Sequence, residues 1–129
     1  MRAALKAAGR APGEVDYINA HGTATLQNDA VETSAIKEVF GPSAYQIPVS
    51  STKSMHGHLL GAAGALELVI CVGCLKRGWI PPTMHLDRPD PACDLDYVAG
   101  AVRENPLRVA LSNSFAFGGT NAVLTVEKV

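Results

Sequence analysis

The sequence lacks an excess of either charge. Eleven Lys and Arg offset twelve Asp and Glu, leaving a net charge of −1 and no basic block. That balance argues against a nucleic-acid partner or an anionic membrane surface. Cysteine is sparse. Three residues, an odd count without framework spacing, argue against a disulfide scaffold and point to a reducing cytoplasm. The opening MRAALKAAGRAPGEVD has no apolar centre of the kind a signal peptide needs. Internal repeats and low-complexity tracts are also missing. So is an uninterrupted membrane-length apolar run. Leu59–Leu75 comes nearest, but it falls short of the usual ~20 residues and Glu67 sits at its midpoint. A carboxylate there costs roughly 2.5 kcal/mol or more in lipid, so this segment is predicted to be a helix buried within the protein.

What is present suits one globular domain. The 129 residues are 47% hydrophobic, enough for a core. Met1–Ala8 is predicted helical and closed by Gly9, although no capping residue precedes it. A strand follows at Val15–Asn19. Asn28 is predicted to cap a helix over Asp29–Phe40, with Val31, Ala35, Ile36, Val39 and Phe40 on its apolar face. Gly41-Pro42 stops that helix. Further strands are predicted at Gln46–Ser50, Val109–Ser112 and Ala122–Glu127. Prolines 81, 82, 89 and 91 make Pro81–Cys93 irregular and surface-bound. Strands separated by helices give an α/β layered domain.

Three glycine-bearing polar loops each follow a predicted strand: Asn19–Thr25, Ser51–His58 and Ser112–Asn121. Ligands gather at strand ends in such folds, so the three are expected to build one site. In NAHGTAT, His21 is either a turn histidine bonded to its own loop or a ligand-facing group. Gly22 beside it allows close backbone approach, and Thr23 and Thr25 offer hydroxyls. His56 and His58 have HxH spacing, but zinc needs a third ligand and the Lys53 ammonium opposes a dication. Lys53 is either a solvated lysine or a charge that favours neutral imidazoles nearby. Gly57, Gly61, Gly64 and Leu68 form a smooth helical stripe expected to admit another backbone. Glu67 is costly in a core unless paired, and it lies half a revolution from His58, so a structural role holding other loops is expected. Cys71 and Cys74 match C-x-x-C but fall late in a buried helix, where they read as small apolar filler. Cys93 is expected to lie outside the three site loops and is not read as a nucleophile. Phe115 and Phe117 beside Gly118 and Gly119 are either core packing or a hinged apolar gate.

NAHGTAT, VSSTKSMHGHLLGAAGALE, PPTMHLDRPDPACDLDYV and SNSFAFGGTNAVL, in this order and spacing, closely resemble the C-terminal half of the β-ketoacyl-acyl-carrier-protein synthases. The resemblance covers essentially residues 1–129 and favours the elongating fatty-acid type (synthase I/II). It implies one half of a thiolase-like α/β/α sandwich with Leu59–Leu75 as its buried central helix. It implies His21 and His58 as the two histidines of a Cys-His-His triad, Lys53 as a catalytic companion and Glu67 as a supporting residue. By the same resemblance Thr23 and Thr25 contact the phosphopantetheine arm, and Phe115, Phe117, Gly118 and Gly119 form the acyl gate. Ala116 stands where relatives have glycine, which is expected to stiffen that gate. Asn19, Glu67 and Ser112 match positions that hold a monovalent cation in some members, and no other metal or cofactor is implied. The expected partners are acyl carrier protein, an N-terminal synthase half that carries the nucleophilic cysteine, and a second copy in a homodimer of the complete enzyme. Alone, the chain is expected to be inactive. Rival readings are a non-catalytic chain-length-factor-like or remnant module, a polyketide-type synthase fragment, and a metal-dependent hydrolase using His21, His56 and His58.

Overall fold

The computed structural model describes residues 1–129. Along the chain its elements are α1 (Arg2–Ala8), β1 (Tyr17–Asn19), α2 (Asp29–Phe40), β2 (Val49–Ser50), α3 (Lys53–His56), α4 (Ala63–Arg77), β3 (Trp79–Ile80), β4 (Arg103–Glu104), β5 (Val109–Phe115) and β6 (Asn121–Glu127). Four strands form one mixed sheet in the order β2-β1-β5-β6. β1 runs parallel to both β2 and β5, and β6 closes the edge antiparallel to β5. β3 and β4 pair in a separate ribbon.

Side-chain alternation in the strands divides the core into two layers. Ile18, Val109 and Leu111 pack with Ile36 and Phe40 of α2 and Leu5 of α1. Tyr17 and Ala110 point the other way, onto Cys71, Cys74 and Leu75 of α4. The result is helix, sheet, helix. Because β1, β2 and β5 are parallel, their C-terminal ends share one edge of the sheet. The three loops that leave those ends meet there.

Four sequence expectations change. Asn28 stands at the start of α2 but its side chain makes no capping bond. Instead its amide donates to Asp29 Oδ1 at 3.1 Å and Glu32 Oε2 at 3.0 Å. On the same helix Val31 is exposed, whereas Glu32 and Thr33 are buried. The buried face is therefore Glu32, Ile36 and Phe40 at four-residue spacing, with Thr33. The segment predicted as one buried helix, Leu59–Leu75, begins as a short 3₁₀ turn at Leu60–Ala62 and becomes α4 only at Ala63. α4 buries Ala63, Glu67, Cys71, Cys74 and Leu75, while Leu60, Val69 and Val72 face outward. Within this chain it is a one-sided helix. Its glycines also differ from the expected smooth seam. A side chain at Gly61 meets nothing within 4 Å, and one at Gly64 meets only the Ser114 hydroxyl at 3.5 Å.

Candidate active site

His21 lies two residues beyond β1 and is 8% exposed. The backbone turns away from the sheet at Gly22, whose φ of +41° is left-handed. A Cβ there would stand 2.5 Å from Ser51 Cβ. The Ser51 hydroxyl donates to the Gly22 carbonyl at 2.7 Å. Glycine at position 22 thus lets the first and second site loops touch.

The second loop delivers Lys53 and His58. Lys53 opens α3 and is buried, with its ammonium on Glu67 Oε1 of α4. Glu67 is therefore paired as its burial requires, and it does fix a loop, the one that carries Lys53. Gly57, with φ +74°, breaks α3 and swings His58 back. The Leu60 N–H donates to His58 Nδ1 at 3.1 Å. A neutral His58 ring so engaged carries its proton on Nε2. The His21 and His58 rings sit edge to face, 5.5 Å apart at 85°. Phe115, from the end of β5, packs against His21 at 5.9 Å.

Burial lowers the His21 pKa below the ordinary histidine value, and the Lys53 charge lowers it further. The influence of Lys53 expected on nearby imidazoles is thus seen on His21. Near neutral pH His21 is an uncharged imidazole. Its Nδ1 is buried without a partner.

Lys53 and His58 face a cavity of about 650 Å³, lined also by Thr23, Thr25, Met84 and Cys93 among others but not by His21 or Phe115. The hydroxyls of Thr23 and Thr25 bond each other at 2.9 Å. Cys93 lies outside the three site loops, as expected, yet it lines the cavity, because the proline-rich segment forms part of the wall. His56 stays apart from the pair. Its Nδ1 faces the Gly57 carbonyl at 2.7 Å and its Nε2 the Thr52 hydroxyl at 3.2 Å. No three His, Cys, Asp or Glu side chains gather as a metal cluster.

The third loop only partly joins the site. Phe115 does, but Phe117 is fully exposed and packs on nothing in this chain. Gly118 and Gly119, with φ of +77° and +79°, form the tight turn behind it. Ala116 is extended (φ −133°, ψ 163°), a conformation any residue adopts, so the missing glycine imposes no strain. Asn19 and Ser112 are register partners across β1 and β5. Both lie against the Cys71 thiol, one turn along α4 from Glu67. Burial pushes that thiol up to about 12 and the Cys74 thiol up to about 11, so neither is a thiolate near neutral pH.

One organiser of the site escaped the sequence reading. Glu32, 4% exposed, accepts the His21 N–H at Oε1 and the Gly22 N–H at Oε2, each at 2.9 Å. The Asn113 amide of β5 donates to Oε1 at 3.0 Å. Its signal in the sequence is an acid at four-residue spacing from Ile36 and Phe40. The Lys53–Glu67 pair was likewise not foreseen as a pair.

The model of the β-ketoacyl synthase C-terminal domain matches residues 1–87. The chain belongs to the β-ketoacyl synthase family. Nodulation protein E of Rhizobium meliloti is 54% identical over 129 residues, all of this chain and 32% of that protein. The 3-oxoacyl-[acyl-carrier-protein] synthase 2 of Coxiella burnetii is also 54% identical over 129 residues, all of this chain and 31% of its own length. Among solved structures, a ketosynthase bound to its type II polyketide acyl-carrier protein superposes with a TM-score of 0.96 at 43% identity, over 99% of this chain and 31% of that one. A β-ketoacyl synthase from Burkholderia phymatum gives 0.93 at 42%, over 100% of this chain and 31% of that one. The chain thus spans about a third of the length of the relatives it matches. The thiolase-like layered fold expected from the sequence agrees with these superpositions. No helix is long and apolar enough to cross a membrane.

Proposed function

We propose that this chain supplies the decarboxylation and carbon–carbon bond-forming half of a 3-oxoacyl-[acyl-carrier-protein] synthase site. The observation that carries this reading is the pairing of His21 and His58 with ring centroids 5.5 Å apart, beside the buried Lys53–Glu67 pair. In the reaction a malonyl thioester loses carbon dioxide. The electrons of the broken C–C bond form an enolate whose charge falls on the thioester oxygen. Two neutral imidazoles that each present an N–H to that oxygen stabilise it where the charge develops. The enolate carbon then attacks a cysteine-bound acyl thioester, forming the new C–C bond and releasing the thiolate.

The nucleophile comes from the part of the relatives that this chain does not span. The protonated Cys71 and Cys74 thiols support that assignment. Thr23 and Thr25, at the cavity mouth, serve the phosphopantetheine arm of acyl carrier protein through their hydroxyls. Phe115, Phe117, Gly118 and Gly119 act as the acyl gate, the exposed Phe117 closing only against the rest of the enzyme. Asn19, Glu67 and Ser112 offer a monovalent cation oxygen atoms, and the buried, unpartnered Glu67 Oε2 fits that role. No cofactor takes part in the steps given above. A homodimer of the complete enzyme, in the cytoplasm, completes the proposal.

A graft tests the reading. This chain replaces the matching third of the Coxiella burnetii synthase 2, and condensation of an acyl primer with malonyl acyl carrier protein is assayed. The expected result is a functional graft. A graft that folds and acylates its cysteine but neither decarboxylates malonyl nor elongates would overturn the proposal.

A further inference from the structure

We infer that Arg88 and His85 form a phosphate-binding subsite on the outer side of the site cavity, for the phosphate that ends a pantetheine arm. The ligand's identity rests on the condensing reading above; the placement of the two side chains does not. Both stand in PPTMHLDRPDPACDLDYV, where nothing in the spacing marks them. The segment is pinned where it enters the site. The Thr83 hydroxyl accepts the Ser51 N–H at 2.9 Å, and the Met84 N–H donates to the Ser54 hydroxyl at 2.8 Å. Farther along, Lys37 holds Asp94. Between these ties His85 and Arg88 line the cavity that Lys53 and His58 also face. Lys53 is buried, whereas His85 and Arg88 are exposed, so the two mark the cavity's solvent side.

Both side chains are uncommitted. Arg88 is the cavity's only arginine, and its guanidinium makes no ion pair and no hydrogen bond in this chain, unlike those of Arg2, Arg10 and Arg103. His85 holds a left-handed φ of +60°, a region that favours glycine. A side chain kept on such a backbone points to a use for that side chain. Two carboxylates near this rim are partly occupied. Asp90 Oδ1 accepts the Ala92 N–H at 2.8 Å, and Asp29 Oδ1 accepts the Asn28 amide at 3.1 Å. A planar guanidinium takes up a phosphate through paired, charge-assisted N–H···O bonds, and an imidazole adds a further donor. Thr23 and Thr25 give the same cavity hydroxyls, and Leu26 gives it apolar surface. A fitting ligand is therefore anionic at its outer end, carries amides and apolar groups along its length, and brings an uncharged reacting group to His58. A pantetheine thioester that ends in a phosphate has that order. The phosphate is common to the prosthetic group of acyl carrier protein and to coenzyme A.

Binding of phosphopantetheine, and of pantetheine, which lacks the phosphate, is measured by NMR titration of the native chain, Arg88→Ala and His85→Gly. Phosphopantetheine should bind the native chain more tightly than pantetheine does. That advantage should shrink roughly tenfold in Arg88→Ala, while pantetheine should bind the three proteins alike. His85→Gly should weaken phosphopantetheine binding and yet keep or raise the thermal midpoint, because glycine suits its φ. Equal affinities for the two probes in the native chain, or an equal loss of both in Arg88→Ala, would overturn the inference. The source of the phosphate is read in the Coxiella burnetii graft with coenzyme A and with holo-acyl carrier protein. Both should lose affinity in Arg88→Ala. A loss confined to coenzyme A would assign Arg88 to the nucleotide phosphates, and a loss confined to the carrier protein would assign it to that protein's surface; either result overturns the subsite. A graft that decarboxylates normally while phosphopantetheine ignores Arg88 removes the subsite and keeps the condensing reading. A graft that binds phosphopantetheine through Arg88 but never decarboxylates does the reverse.

Discussion

At the scale of single residues the site is built from polar groups that burial makes expensive and pairing makes tolerable. Lys53 and Glu67 are both buried, and neither charge has another ionic partner. Removing one leaves the other uncompensated, which costs about 3–5 kcal/mol. Glu67→Ala should lower the denaturant midpoint accordingly, and a surface pair such as Arg2–Glu38 provides the contrast, worth about 1 kcal/mol or less. His21 adds a pH dependence. Its folded pKa lies below the ordinary value near 6.5, so the unfolded chain takes up the proton first as pH falls. The stabilisation is complete above that value and is lost as pH drops through it toward the folded pKa. Native protein should therefore lose more stability between pH 7.5 and 5.5 than His21→Gln; equal losses would contradict the shift. Much of this layer was legible in the sequence, since HGTAT and KSMHGH stand out as chemistry in small-residue loops. Glu32 was not. A helix-period reading assigns its apolar face from apolar letters, and an acid with four donors waiting for it looks the same as an exposed one.

At the scale of elements, parallel pairing of β1, β2 and β5 does the assembling. It brings loops from residues 21, 53 and 115 to one edge, as the strand-end argument expected. Strand positions were readable because β-branched and apolar runs bounded by Gly and Pro have few alternatives. The character of α4 was not. Its outward side carries Val69 and Val72, so composition alone suggested burial on all sides. Glycine roles were equally hidden, because a glycine's neighbours are set by tertiary structure. Two positions separate the cases. Gly22→Ala places a Cβ against Ser51 at a left-handed φ, and should cost roughly 1–3 kcal/mol. Gly61→Ala meets open space and should change the thermal midpoint little. Equal midpoints for the two variants would contradict the close approach of the first two site loops.

At the scale of the whole molecule, the chain presents apolar groups that its own fold leaves bare. Leu60, Val69, Val72, Phe117 and Leu124 are exposed, most of them on α4 or at the β5–β6 edge. Such exposure favours association. Light scattering should find the isolated chain self-associating as concentration rises, and a clean monomer at all concentrations would count against that patch. The isolated chain should also fail to condense acyl groups, with Cys71 and Cys74 unacylated, since covalent catalysis requires an activated nucleophile. The proposed reaction gives the developing charge to His21 and His58 together and no part of it to His56. Decarboxylation of malonyl acyl carrier protein, followed as carbon dioxide release in the Coxiella burnetii graft, measures it most directly. His58→Ala should lower the rate by about 10²–10³-fold, the effect of losing one oxyanion donor, and His56→Thr should leave it near the unmodified graft. A His58→Ala graft that decarboxylates at the full rate, or a loss at His56→Thr as large as at His58→Ala, would contradict the account.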